Sequence, residues 1–139
     1  MDAQEVRKLD NYLKRLFGNQ RVRVVPKEAK SAEVYIGEQD LGELIVDDED
    51  DDLSYNFRMV IDLGQQTDLA PAPMLTAWLR RKFDNENIRV VPRPKKNDSL
   101  EAYVGEEFVG VVFIETEKGR RSYIFELPIL DVDLADQPG

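Results

Sequence analysis

Apolar residues recur every three or four positions at the start of the chain. Val6, Leu9, Leu13, Leu16 and Phe17 fall on one stripe, which predicts an amphipathic helix. The spacing returns at Leu75, Trp78, Leu79 and Phe83 and predicts a second helix. Lys14 and Arg15 close the first, and Arg80, Arg81 and Lys82 the second, where cations suit the negative end of the helix dipole. Gly18 reads as a C-terminal cap, while Pro71 and Pro73 mark a linker and a helix start.

Beyond each helix the period falls to two. Arg21 to Val25 alternates and stops at Pro26. Ala32, Val34 and Ile36 alternate with Glu33 and Tyr35. Gly37-Glu38-Gln39 and Gly105-Glu106-Glu107 predict tight hairpin turns, with glycine supplying the positive φ. A third strand is expected over 40–46 and 108–114. A fourth places Tyr55, Phe57, Met59 and Ile61 on one face, as it does Tyr123, Phe125, Leu127 and Ile129. Pro128 predicts an edge position for that strand in the second half. By alternation, Gly110, Val112 and Ile114 should face the helix. Val109, Val111 and Phe113 should face away, joined by Ile124.

The two halves are copies. LKRLFGNQRVRVVP matches LRRKFDNENIRVVP, SAEVYIGEQDLGEL matches SLEAYVGEEFVGVV, and SYNFRMVI matches SYIFELPI, with half of these positions identical and the blocks in the same order. The repeats run over 1–66 and 67–139. Each is a helix plus a four-stranded antiparallel meander, an α+β arrangement expected to pack about a pseudo-twofold, as a fused homodimer would.

Composition limits the chemistry. Among 139 residues there are 19 Lys and Arg against 28 Asp and Glu, a net charge of -9. That balance argues against general nucleic-acid binding and against an anionic membrane surface. Cys and His both number zero. Thiolate nucleophiles, disulfides, cysteine-built metal sites and the commonest general base are therefore excluded. No signal peptide or transmembrane stretch is read, and the cytoplasm is the expected compartment.

The segments SAEVYIGEQDLGEL, SLEAYVGEEFVGVV, SYNFRMVI and SYIFELPILDVDL, each downstream of an LxRxF helix end, resemble a family of short alphaproteobacterial proteins known only as a domain of unknown function. The resemblance covers most of each half and is closer in the second. The first departs in its acidic loop and in ending IDLGQ where the second has ILDVDL. The resemblance implies a bacterial cytoplasmic protein and carries over no activity, cofactor or catalytic residue.

Residues shared by both copies serve the fold more readily than function. Arg23 with Glu33, and Arg89 with Glu101, are expected to form cross-strand ion pairs. Asn19 and Asn85 are expected to turn the chain after each helix. The run Asp47 to Asp52 is the strongest local departure. Asp47, Asp50 and Asp52 form a weak metal candidate, but the run lacks the spacing and central glycine of an EF-hand loop. It reads as a solvated hairpin tip, and its counterpart carries Lys118, Arg120 and Arg121 instead. These opposed tips would allow oriented self-association, though keeping the protein soluble is their plainer role. A serine without an adjacent base is no nucleophile, and there is no glycine-rich phosphate loop.

The expected function is accordingly non-enzymatic and cofactor-free: a cytoplasmic adaptor or scaffold that binds another protein. The candidate binding residues are Val109, Val111, Phe113 and Ile124, with the charged loop of Lys118, Arg120 and Arg121. The alternative is a nucleic-acid or small-ligand regulator that uses the basic region Arg80–Lys96. A secretion-chaperone-like acidic dimer is a third reading, favoured by size and charge alone.

Overall fold

The computed structural model describes residues 1–48, 53–63, 71–96 and 98–135. In chain order these form α1 (Ala3–Phe17), β1 (Val22–Glu28), β2 (Ser31–Ile36), β3 (Gln39–Asp47) and β4 (Ser54–Ile61), then α2 (Pro71–Phe83), β5 (Ile88–Pro92), β6 (Ser99–Val104), β7 (Glu107–Glu117) and β8 (Arg120–Leu130), closing with α3 (Asp131–Ala135). The fold is α+β, with one antiparallel sheet in the order β1-β2-β3-β4-β8-β7-β6-β5. Two compact units divide the chain. One comprises Met1–Met59 with Leu127–Gly139, the other Val60–Glu126.

In the first unit, α1 starts on a capping box. Asp2 Oδ1 accepts from the Glu5 amide at 2.7 Å, and Glu5 Oε1 accepts from the Asp2 amide at 3.1 Å. It ends at Gly18 in the left-handed conformation, φ 60°. Asn19 then turns the chain, its Oδ1 accepting from the Arg21 amide at 2.8 Å. The helix buries Leu9, Tyr12, Leu13, Leu16 and Phe17 on the inward side chains of the sheet, among them Val24, Val34, Leu44, Phe57 and Met59. Each aliphatic or aromatic side chain removed from water in this way contributes about 1.5–3 kcal/mol. After β8, α3 buries Leu134 and contacts α1, and its Asp131 amide donates to Leu53 O at 3.2 Å.

The second unit repeats the plan. Leu75, Leu79 and Phe83 of α2 pack over Ile88, Val90, Leu100, Ala102, Val112 and Phe125. Here α2 opens on Pro71 and is followed by Asp84, which takes the left-handed conformation (φ 51°) that Gly18 takes in the first unit. Asn85 repeats the turn of Asn19, its Oδ1 accepting from the Asn87 amide at 2.8 Å.

Three expectations are corrected. The strand order places β8 inside the sheet, so Pro128 is not on an edge strand. The register of β8 with β7 runs only to Glu126, two residues before, so the missing N–H costs no hydrogen bond on that side. Val109 faces the core rather than away from it and is 1% exposed. Ala102 pairs with Gly110 but Tyr103 with Phe108, so Val109 is the extra residue of a β-bulge and alternation fails there. Leu41 occupies the matching bulge between β2 and β3 and is likewise buried. Finally, Arg23 and Arg89 do not make the expected ion pairs. Each stacks over the tyrosine opposite it, Arg23 on Tyr35 at 4.6 Å and Arg89 on Tyr103 at 4.4 Å. Each also donates from Nε to the glycine carbonyl of the adjoining turn, Gly37 at 2.8 Å and Gly105 at 3.0 Å.

Candidate functional site

A surface that binds a partner can use a strand edge or a sheet face, and the outward amide donors of Val22 and Val24 on one edge and of Ile88 and Val90 on the other are already engaged. Along β1, the donors directed away from β2 belong to Val22 and Val24, and Pro26 has none. Asn19 O accepts from Val22 at 3.3 Å, and the Asp10 carboxylate on α1 accepts from Val24 at 3.0 Å. Along β5 the same positions are Ile88, Val90 and Pro92. Asn85 O takes the first at 3.4 Å and Thr76 Oγ1 the second at 2.9 Å. Arg80 Nε further caps Ile88 O at 2.7 Å. Edge donors engaged by their own helix, or by the turn that follows it, are not offered to another strand.

The outward face remains. In the second unit it is built in rows by the register of β6, β7 and β8. Glu101, Val111 and Glu126 lie side by side in one row. Ser99, Phe113 and Ile124 form the next, followed by Glu115 with Ser122. Phe113 is 37% exposed and Val111 half-buried, whereas Ile124 is buried. Toward the β6–β7 turn stand Tyr103 and Phe108, edge to face at 5.8 Å, with Phe108 46% exposed. On the neighbouring edge strand, Arg89 covers the Tyr103 ring, and Arg93 donates to Ser99 Oγ at 3.1 Å.

The corresponding face of the first unit is more polar. Glu43, Ile45, Asn56 and Asp40 stand where the second unit has Val111, Phe113, Ile124 and Phe108. Glu33 accepts from the Tyr35 hydroxyl at 2.8 Å, which holds its carboxyl below the usual carboxylate range. Asp40 is held above its ordinary value, first by partial loss of solvent and then by the Glu33 carboxylate beside it.

The residues expected to act together are therefore divided. Val111, Phe113 and Ile124 share one face, and Val109 is in the core. Arg121 pairs with Thr116 and lines a groove of about 310 Å³ with Pro71, Asp98 and Ile114, on the helix side of the sheet. Lys118 sits in the β7–β8 turn with φ 52°, and the Arg120 side chain lies outside the described residues. Asp47 ends β3 opposite Ser54, and Asp48 accepts from Lys30 Nζ at 3.1 Å. Asp50 and Asp52 lie outside the described residues. Among the described residues, no three carboxylates converge on a point that could hold a metal ion.

Of the basic region, Arg80, Arg89 and Arg93 make the local bonds given above. Lys82 lies over the Trp78 ring at 4.9 Å. The aromatic pair Tyr103 and Phe108 was not among the expected binding residues. The signal that marks it is the substitution of Phe108 for Asp40 between the two copies.

The comparisons with known proteins agree with the repeat. A family described as Protein of unknown function (DUF3126) matches the chain twice, over residues 5–63 and 73–133. No curated protein and no solved structure matches.

Proposed function

The chain belongs to the DUF3126 family through both of its halves, and from that premise we propose that it is a non-enzymatic cytoplasmic adaptor that binds another protein. The observation that carries this reading is the outward face of the second unit, where Phe113 and Phe108 are 37% and 46% exposed beside Val111. Aromatic side chains next to arginine on an open face are the composition of interaction surfaces. Engaged edge donors favour docking on the face over strand addition. The absence of cysteine and histidine supports a binding role over a catalytic one, and the lack of cysteine suits a reducing compartment.

A photo-reactive amino acid placed at Phe113, and separately at Arg81 on α2 as a control, tests this in living cells. The expected result is a discrete adduct with another polypeptide at position 113, absent at 81 and abolished by Val111→Asp. A nucleic-acid adduct at 81 with none at 113 would instead support the regulator that uses Arg80–Lys96.

The duplicated sequence also supports a finer architectural reading, in which the two repeats form one pseudo-twofold unit. A lone repeat of this length buries proportionally little of its surface. Residues 1–66 and 67–139 made as separate chains should each be poorly folded alone and recover structure when mixed. Two independently folded monomers would refute it.

A further inference from the structure

We propose that the groove on the helix side of the second unit is a docking site for a short segment of a partner protein that brings a carboxylate and a leucine-like side chain, the chemistry that α3 brings to the first unit. This site is separate from the outward face and goes beyond the reading above, which stands or falls without it.

The groove holds about 310 Å³ and is lined by Pro71, Asp98, Ile114, Thr116 and Arg121. The repeat gives these residues their places in the first unit. The helix match that sets Leu79 on Leu13 sets Pro71 on Glu5, and the strand match that sets Tyr123 on Tyr55 sets Arg121 on Leu53. The Ile114 amide donates to Asp98 O at 2.8 Å as the Val46 amide donates to Lys30 O at 2.9 Å, so Asp98 stands where Lys30 does. In the first unit this place is covered. The Asp131 amide of α3 donates to Leu53 O at 3.2 Å, α3 contacts α1, and Leu134 is buried. There the Tyr55 hydroxyl donates to Glu5 Oε2 at 2.8 Å.

Two substitutions in the second unit change what such a cover must carry. Tyr123 is kept and buried, and it pairs across the ladder with Ile114 of the groove wall. Pro71 in place of Glu5 removes the carboxylate that accepts from this phenol in the first unit, and Arg121 in place of Leu53 adds a cation. A phenol donor and a guanidinium beside the apolar surface of Pro71 and Ile114 match a carboxylate joined to an apolar side chain. The incoming carboxylate does for Tyr123 what Glu5 does for Tyr55, and the apolar side chain does what Leu134 does over α1. Asp98 and Arg121 flank β7 on opposite sides, since β6 and β8 are its two neighbours. Like-charge repulsion from Asp98 therefore directs the carboxylate to the Arg121 side.

The test is an NMR titration of the labelled full chain with a synthetic peptide of residues 129–135, Ile-Leu-Asp-Val-Asp-Leu-Ala. Two control peptides carry asparagine for both aspartates, or serine for the second leucine. The parent peptide should shift the amide signals of Ile114, Thr116, Arg121 and Tyr123, and both controls should bind more weakly. Its affinity should fall about tenfold in Arg121→Glu. Arg121 is exposed, so that variant reports on charge without disturbing the core. Pro71→Glu, which supplies the carboxylate from within the chain, should weaken binding as well, and Tyr123→Phe should do so by removing the donor. Equal binding of the asparagine peptide, or an affinity unchanged by Arg121→Glu and Pro71→Glu, would overturn the proposal. Shifts confined to the surroundings of Glu5 and Leu53 would overturn it too, because the peptide would then be replacing the chain's own α3. Light scattering of the chain alone should give the monomer mass. A mass that doubles with concentration and falls back when the peptide is added would assign the groove to α3 of a second copy and overturn the external partner. None of these outcomes depends on the adduct at position 113, so the two readings fail separately.

Discussion

The Asp10 carboxylate accepts the Val24 amide proton at 3.0 Å, and one repeat later Thr76 Oγ1 accepts that of Val90 at 2.9 Å. Different side chains at one helix position thus do the same task in the two units. The task is to occupy an edge-strand donor that would otherwise be free to pair with another chain.

Replacing Asp10 by alanine should therefore cost about 1–3 kcal/mol, the penalty of leaving a partly buried donor unmatched. It should also promote concentration-dependent association through β1. Urea unfolding and light scattering measure the two effects. Asp10→Asn keeps an acceptor oxygen and should show little of the second, even though Asp10 also pairs with Lys14.

The bulge glycines should resist enlargement. A Cβ at Gly42 would stand 2.2 Å from Arg58 O, and one at Gly110 would stand 2.6 Å from Glu126 O and 2.9 Å from the Phe125 ring. Backbone carbonyls in a paired strand cannot move aside alone. Gly42→Ala and Gly110→Ala should each destabilise by about 2 kcal/mol or more, whereas Gly105→Ala, with open space around it, should lose only the cost of its left-handed φ of 62°.

Asp84 should gain from becoming glycine. Its φ of 51° carries the side-chain penalty that Gly18 avoids at the same place in the first unit. Its negative charge also sits at the negative end of α2. Asp84→Gly is expected to raise stability by about 0.5–1 kcal/mol, read as a higher Tm. The reverse change, Gly18→Asp, should lower it.

Tyr55 makes stability depend on alkaline pH. Burial first, and then its hydrogen bond to Glu5 Oε2 at 2.8 Å, push the phenol well above its ordinary value. The neutral form is thus favoured by folding. Its contribution is complete below the unfolded value of about 10 and is lost as pH climbs above it. Urea unfolding between pH 8 and 11 should show stability falling above about pH 10, with a shallower fall in Tyr55→Phe. Glu5→Ala should weaken the same dependence and remove half of the α1 capping box.

Much of this fold is legible in the chain because its determinants are local. Period 3.6 ending at Gly18, period 2 ending at Pro26, and glycine at 37 and 105 each dictate backbone conformation within a few residues, and self-comparison then doubles every observation. The inward set follows from periodicity alone, Leu13 and Leu79 from the helical spacing and Phe57 and Phe125 from the alternation of the strands. Only pairing between strands decided the rest. Val109 turns inward because Gly110 approaches the Glu126 carbonyl too closely for a side chain, and the register slips by one residue at that contact. Arg23 leaves Glu33 because the tyrosine ring is the directly opposed neighbour and the turn carbonyl lies within reach. The candidate surface shows the same division. Val111 and Phe113 were readable as outward apolar residues, but the setting of Val111 between Glu101 and Glu126 and of Phe113 between Ser99 and Ile124, with Arg121 on the other face, comes from residues far apart in sequence brought together by the ladder. Side-chain period is a property of one strand, whereas what stands beside a side chain is a property of three.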